Sequence, residues 1–204
     1  MTTASAVPKS PRRGRPGYDQ DSVLEIAVQV FNRHGYDATS MGMLAVELGV
    51  SKSAIYHHVP SKGDLLRLAL DEALVPLEAI GEDERAQKGG TIERLEFILR
   101  STIRVLIDRQ PYVTLLLRLR GNTEIERDAL QRRRTVDHKI VDLVVAAQAE
   151  GKVRSDVEPR TTTRLMFGMI NSLVEWYRPD GPVSPAQVEE NAIAMIVDGL
   201  RARP

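Results

Sequence analysis

The 204-residue chain contains no cysteine. That single absence excludes disulfides, thiolate nucleophiles, Cys-ligated zinc and iron–sulfur clusters. It also lacks an excess of either charge, with Lys+Arg and Asp+Glu both at 28. A uniformly basic nucleic-acid coat is thereby excluded, while a local basic patch is not. No run approaches the roughly 18 to 20 apolar residues that span a bilayer, and the first 17 residues hold no apolar block of the signal-peptide kind. The expectation is a cytoplasmic protein with no membrane partner. Aromatic residues are scarce at 4%, yet 42% of the chain is hydrophobic, enough for a packed, largely aliphatic core.

The few rings and the charges divide the chain. Tyr18, Phe31, Tyr36 and Tyr56 fall in the first 60 residues, and only Phe97, Tyr112, Phe167, Trp176 and Tyr177 follow. Residues 1–17 carry Lys9, Arg12, Arg13 and Arg15 without an acid and with three prolines, the composition of a flexible basic arm. The expected organisation is an arm at 1–17, a small unit at 18–66 and a larger aliphatic unit at 67–204.

From residue 19 the periodicity is helical. Leu24, Ala27, Val28 and Phe31 follow the i, i+3, i+4, i+7 rule, and so do Met41, Leu44, Ala45 and Leu48. Ser or Thr caps and glycine stops bound these segments: Thr39 or Ser40 before the second helix, Gly49 after it, then Ser51, Ser61 and Ser184 ahead of later ones. Further helices are expected at about 91–109, 111–119, 124–150, 159–177 and 185–202. No alternating strand pattern occurs, so the predicted fold is all-α with about nine helices.

Residues 41–59 carry the most specific signal. A helix-turn-helix needs a small residue where its helices cross, a glycine at the turn and apolar anchors under the second helix. Ala45, Gly49 and Ile55 meet those needs in order. The outward positions of the second helix are then Ser51, Lys52, Ser53, Tyr56 and His57, all hydrogen-bond formers suited to a major groove. Spacing alone also admits a plain helical hairpin with a solvated polar face. No metal or nucleophile motif competes: His57 and His58 are adjacent and point to different faces, and no P-loop, G-x-S-x-G or G-x-G-x-x-G occurs. Arg132-Arg133-Arg134 reads as a solvated turn of a long helix. No enzyme activity and no cofactor are expected.

The run from Phe31-Asn32-Arg33-His34-Gly35-Tyr36 through Leu44-Ala45, Leu48-Gly49-Val50-Ser51 and Ile55-Tyr56-His57-His58-Val59 to Ser61-Lys62 and Leu65 resembles the DNA-binding domain of TetR-family transcriptional regulators. The resemblance is close over 19–70 and architectural beyond. It departs at Gly63-Asp64, where a helix-favouring acidic residue is usual, and a looser first turn is expected there. The resemblance implies a ligand-responsive regulator, most simply a repressor, binding a palindromic double-stranded DNA operator as a homodimer. It puts Ser51, Lys52, Ser53, Tyr56 and His57 on the DNA face, with Lys62 and Thr39 or Ser40 on phosphates. It further implies an inducer cavity, whose aliphatic lining is read as Leu99, Ile103, Leu106, Leu116, Phe167, Ile170 and Trp176. A four-helix dimer interface would use Met166, Met169, Leu173, Val188, Ala192, Met195, Ile196 and Gly199. Trp176-Tyr177-Arg178-Pro179 is similar to a segment of regulators that sense acyl-CoA thioesters, which makes Arg118 and Arg120 candidates for ligand phosphates. The rival is a helical ligand-binding or scaffold protein with no DNA role, and a weaker one is an architectural DNA protein using the arm alone.

Within the arm, Arg13-Gly14-Arg15-Pro16 resembles an AT-hook core, in which arginines flanking glycine lie in a narrow minor groove. A generic solubilising tail accounts for the same residues. Deleting residues 1–17 separates the two. If Arg13 and Arg15 sit in the groove, the slope of log affinity against log salt flattens by about 0.9 for each phosphate that is no longer neutralised, and an unchanged slope leaves the arm a tail.

Overall fold

The computed structural model describes residues 19–202; the arm with Arg13 and Arg15 lies outside them. Asp19 starts the first helix, its carboxylate accepting the Ser22 backbone N–H at 2.9 Å and so satisfying one of the donors a helix start leaves open. That helix, α1 (Gln20–His34), buries Val23, Leu24, Ala27, Val28, Val30 and Phe31. The chain turns at Gly35 into α2 (Met41–Leu48) and α3 (Lys52–His58), and Ser61 then opens α4 (Lys62–Glu82). Ser61 Oγ accepts from the Asp64 N–H and donates to its carboxylate at 2.6 Å, a local closure of the first turn. The expected looseness at Gly63 is not found. A Cβ there would meet Ile125 Cδ1 at 3.1 Å, so the bare glycine lets a later helix approach.

α4 is the spine. Leu65, Leu66, Ala69, Leu70, Ala73 and Leu74 are all buried, and the helix packs against α1, α6, α7 and α8. It runs through the boundary expected at 66/67, so the two units share one helix. Pro76 lies inside it and removes the backbone donor that would otherwise close on the carbonyl of Glu72. The rest of the described chain adds α5 (Glu84–Gln87), α6 (Thr91–Asp108), α7 (Gln110–Leu117), α8 (Glu124–Ala149), α9 (Pro159–Asn171), α10 (Leu173–Trp176) and α11 (Pro185–Leu200).

Eleven helices therefore stand where about nine were expected among the described residues. The short α5 follows an Asp83 cap that accepts from Arg85 N–H. The run at 159–177 breaks at Ser172, whose hydroxyl donates to the Met169 carbonyl at 2.7 Å, a serine competing with the helix ladder. No strand forms among the described residues; Val153 and Arg201 make one isolated antiparallel bridge.

Charged side chains tie the helices across the core surface. Arg132 of α8 reaches Glu78 at 2.7 and 2.8 Å and Asp71 at 2.6 Å, both on α4. The bond from Arg132 holds the Glu78 carboxyl below the ordinary carboxylate range against the opposing effect of burial. On the other side, Arg104 and Arg100 of α6 grip the buried Glu189 of α11 at 2.7 to 3.0 Å.

The α1–α2 turn is held by a cation for which the family resemblance implies a different place. Lys62 Nζ donates to the carbonyls of Tyr36 at 2.9 Å and Thr39 at 2.8 Å and sits 4.3 Å from the centroid of the Tyr36 ring. Its ammonium points into the turn, not outward to a phosphate. The carbonyls that follow the end of α1 attract it, as helix C-termini attract cations. Lys62→Ala is expected to cost about 2 kcal/mol of N-terminal-domain stability, the size of a charge-assisted hydrogen-bond set, read as a lower unfolding midpoint in urea with an unchanged slope.

Candidate nucleic-acid interface and ligand cavity

Gly49 adopts the left-handed conformation (φ 66°), and its N–H bonds back to Ala45 and Val46 carbonyls. Only glycine takes that conformation without strain, so α2 stops and the chain turns at once into α3. Ile55 and Val59 are fully buried beneath α3, beside Leu44 and Leu48 of α2. Burying these anchors leaves the opposite face of α3 outward. Ser51, Lys52, Ser53 and His57 are exposed, and Tyr56 is 49% exposed. Lys52 and Tyr56 are one turn apart on that face. Ser51 Oγ caps α3 through the Ala54 N–H at 3.2 Å and meets Ser53 Oγ at 2.9 Å, so the two serines hold one another.

The hydroxyls before α2 divide. Ser40 is exposed and caps the helix, accepting from Met43 N–H at 3.2 Å. Thr39 is buried and donates to the Gly35 carbonyl at 2.7 Å. Its place four residues after a turn glycine was the available sign of this inward role.

Hydrogen bonds join this unit to the rest. Asn32 Nδ2 on α1 donates to the Pro111 carbonyl of α7 at 2.8 Å, and Arg118 donates back to the Asn32 carbonyl at 2.9 Å. Asn122 adds a bond to the Asp37 carboxylate at 2.7 Å. Arg118, expected on a ligand phosphate, is thus occupied at the α1–α7 junction. Arg120 is exposed and does not line the cavity described next.

Two hollows adjoin across a shared wall. The outer one, about 920 Å³, opens between the second half of α4, α5, α6 and α8. Leu77, Thr102 and Val136 line both it and a narrow inner chamber of about 50 Å³, which reaches Leu106, Leu116 and Phe167 between α6, α7, α8 and α9. Those last three were predicted. Leu99, Ile103 and Ile170 were also predicted, but they are fully buried core residues outside the lining. Trp176 is 53% exposed on α10 and its indole N–H faces Ser172 Oγ at 3.3 Å. Sequence reading placed the walls between 91 and 177 and so missed Leu74 and Leu77 of α4.

It also missed the polar end of the inner chamber. Arg133 and Asp137, one turn apart on α8, line it with Asn171 at the end of α9. Burial pushes the Asp137 carboxyl up, against the pull of Arg133 and His138. The three adjacent arginines do not form one solvated turn. At 100° per residue Arg132 turns to α4, Arg133 to the chamber and Arg134 to solvent.

An exposed apolar face lies on α9 and α11. Leu165 is 70% and Met195 66% exposed, with Met169 and Gly199 also outward and Ala192 half-buried. Met166, Leu173, Val188 and Ile196, predicted for the same face, are buried in the core; Leu165 was not predicted. Among the described residues no cluster of three or more His, Asp or Glu could hold a metal, and no helix is long and apolar enough to cross a membrane.

Comparison with known proteins agrees with this arrangement. Residues 23–69 match the family model for bacterial regulatory proteins of the tetR family, and 88–200 match a tetracyclin repressor-like C-terminal domain. The transcriptional repressor KstR2 of Rhodococcus jostii is 27% identical, with 98% of each chain covered. The fatty acid metabolism regulator protein of Bacillus subtilis is 20% identical over 93% of this chain and 98% of its own. Among solved structures, SCO3833 of Streptomyces coelicolor is 52% identical with a TM-score of 0.83, covering 88% of this chain and 90% of that one. AibR, solved with isovaleryl coenzyme A and operator DNA, is 23% identical with a TM-score of 0.69 over 86% of this chain and 96% of its own. These matches remove the reading as a helical scaffold without a DNA role: the chain belongs to the TetR family of transcriptional regulators.

Proposed function

We propose that the protein is a homodimeric repressor that reads a palindromic operator with α3 and is released by a small molecule of the acyl-CoA class, or a similarly long acid, in the two-chambered cavity. The observation that carries this reading is the double service of α7. Its Val113, Leu116 and Leu117 line the inner chamber, while its Pro111 carbonyl and the following Arg118 hold Asn32 at the end of α1. A ligand entering the chamber presses on the same helix that fixes the DNA-binding unit. The effect must be reciprocal, so operator weakens ligand binding by the factor by which ligand weakens operator.

The ligand class is supported by shape and by relatives. An aliphatic inner chamber suits a short acyl group, and the outer one has room for a bulky polar carrier. AibR was solved with isovaleryl coenzyme A and operator DNA, and the Bacillus relative is named for fatty acid metabolism. The dimer is supported by the face of Leu165, Met169 and Met195, an apolar patch of the kind that marks association. One recognition helix covers too few base pairs for genomic specificity, and two on a twofold axis read half-sites about 34 to 36 Å apart.

Two measurements test this. Tyr56→Ala and Lys52→Ala each remove a group from the outward face of α3. Each is expected to lower operator affinity by about 1 to 3 kcal/mol in a fluorescence-anisotropy titration, with helicity and mass unchanged; parental affinity in both variants ends the assignment of α3 as the reading head. For the dimer, the parent should run near twice its 22.7 kDa subunit mass in sedimentation equilibrium. Met195→Arg should run as a monomer and lose operator binding with it.

A further inference from the structure

Arg133, Asp137 and Asn171 stand at the inner chamber with no hydrogen bond or ion pair from their side chains to other described residues. Their neighbours behave differently, since Arg132 closes on Asp71 and Glu78. The other lining residues of the chamber are aliphatic or aromatic apart from Thr102, and the Thr102 hydroxyl is spent on the Ile98 carbonyl at 2.8 Å. Arg133 and Asp137 feel one another's charge across one helical turn, but neither makes a hydrogen bond within the described residues, and an apolar recess makes that costly. A ligand that satisfies both members recovers that cost.

Each simple ligand type fails at least one of the two. A bare alkyl tail leaves guanidinium and carboxylate dry and unpaired. A carboxylate suits Arg133 and meets repulsion from Asp137, and an amine does the reverse. A neutral group with a carbonyl acceptor and a hydroxyl donor two or three bonds apart answers both, with Asn171 able to serve either atom. We infer that the inner chamber is a recognition site for a hydroxyl-bearing acyl group, its carbonyl taken by Arg133 and its hydroxyl given to Asp137. This rests on the reading of the cavity as the effector's seat and refines it, from an aliphatic tail to a hydroxyacyl one. The discrimination is strong in principle, because a site built to pair a hydroxyl rejects the analogue that lacks it far better than an apolar pocket rejects a methylene.

The test uses four small probes on the full-length protein, followed by saturation-transfer NMR at millimolar concentration: 4-hydroxy-2-butanone, its near-isostere 2-pentanone, butyrate and butylamine. The hydroxyketone is expected to bind about tenfold tighter than 2-pentanone, a difference of about 1.4 kcal/mol. Asp137→Leu should erase that preference, and Arg133→Met should weaken both ketones, since each presents the carbonyl that Arg133 takes. Equal binding of the two ketones, or no transfer to either, overturns the inference, and this comparison stands even if a variant fails to fold. Tightest binding by butyrate also overturns it, since it would mean a protonated Asp137 donating beside Arg133. The expected pattern combined with unchanged operator affinity would keep the recognition site and end only its reading as the effector's seat.

Discussion

The burial of one face after another of α4 is the constraint on which the rest depends. Six of its residues between Leu65 and Leu74 are sealed, and no single neighbour covers them: α1 takes one side, α6, α7 and α8 the others. A helix closed on several sides cannot slide along one partner without disturbing the rest, because interiors packed to crystal density have few intermediate arrangements. The DNA-binding unit and the cavity are therefore mechanically one object. Ion pairs such as Arg132 with Asp71 and Glu78 fix the rotation of α8 about this spine more than they add net stability, since half-exposed pairs contribute little.

Much of this was legible in the sequence, for identifiable reasons. The reading of α2 and α3 depended on local chemistry: a cap at Ser51, a left-handed stop at Gly49 and anchors at helical spacing. Such signals act over a few residues and need no distant partner. The same holds for Ser61 and Ser184. What was not legible depended on direction. Periodicity showed that the stripes on α9 and α11 were apolar, but not which flank of each stripe met the core. Met166 and Ile196 turned inward, while Leu165 and Met195 stayed outside. Lys62 illustrates a second limit, because a cation drawn by the carbonyls of a turn some 25 residues away leaves no trace in spacing.

The cavity shows a third limit. Its hydrophobic wall includes the second half of α4, whereas sequence reading had set the walls only between 91 and 177, and its polar end comes from the middle member of an arginine triplet. Adjacent residues on a helix face three directions, so an apparent cluster in sequence dissolves into a tie, a chamber-lining group and a solvated charge. Exposed charge is the ordinary fate of such triplets, and only the packing of α8 against α4 and α9 selects Arg133 for the interior.

Pro76 gives the spine a further property. By removing one rung of the backbone ladder it makes α4 more compliant at a single point, between a stiff half clasped by the DNA-binding helices and a half that walls the outer chamber. Leu77, the next residue, faces both chambers. The wall of the cavity and the point where the helix resists bending least therefore coincide. A fully laddered helix of the same length would have no such point, and would spread any bend over many turns.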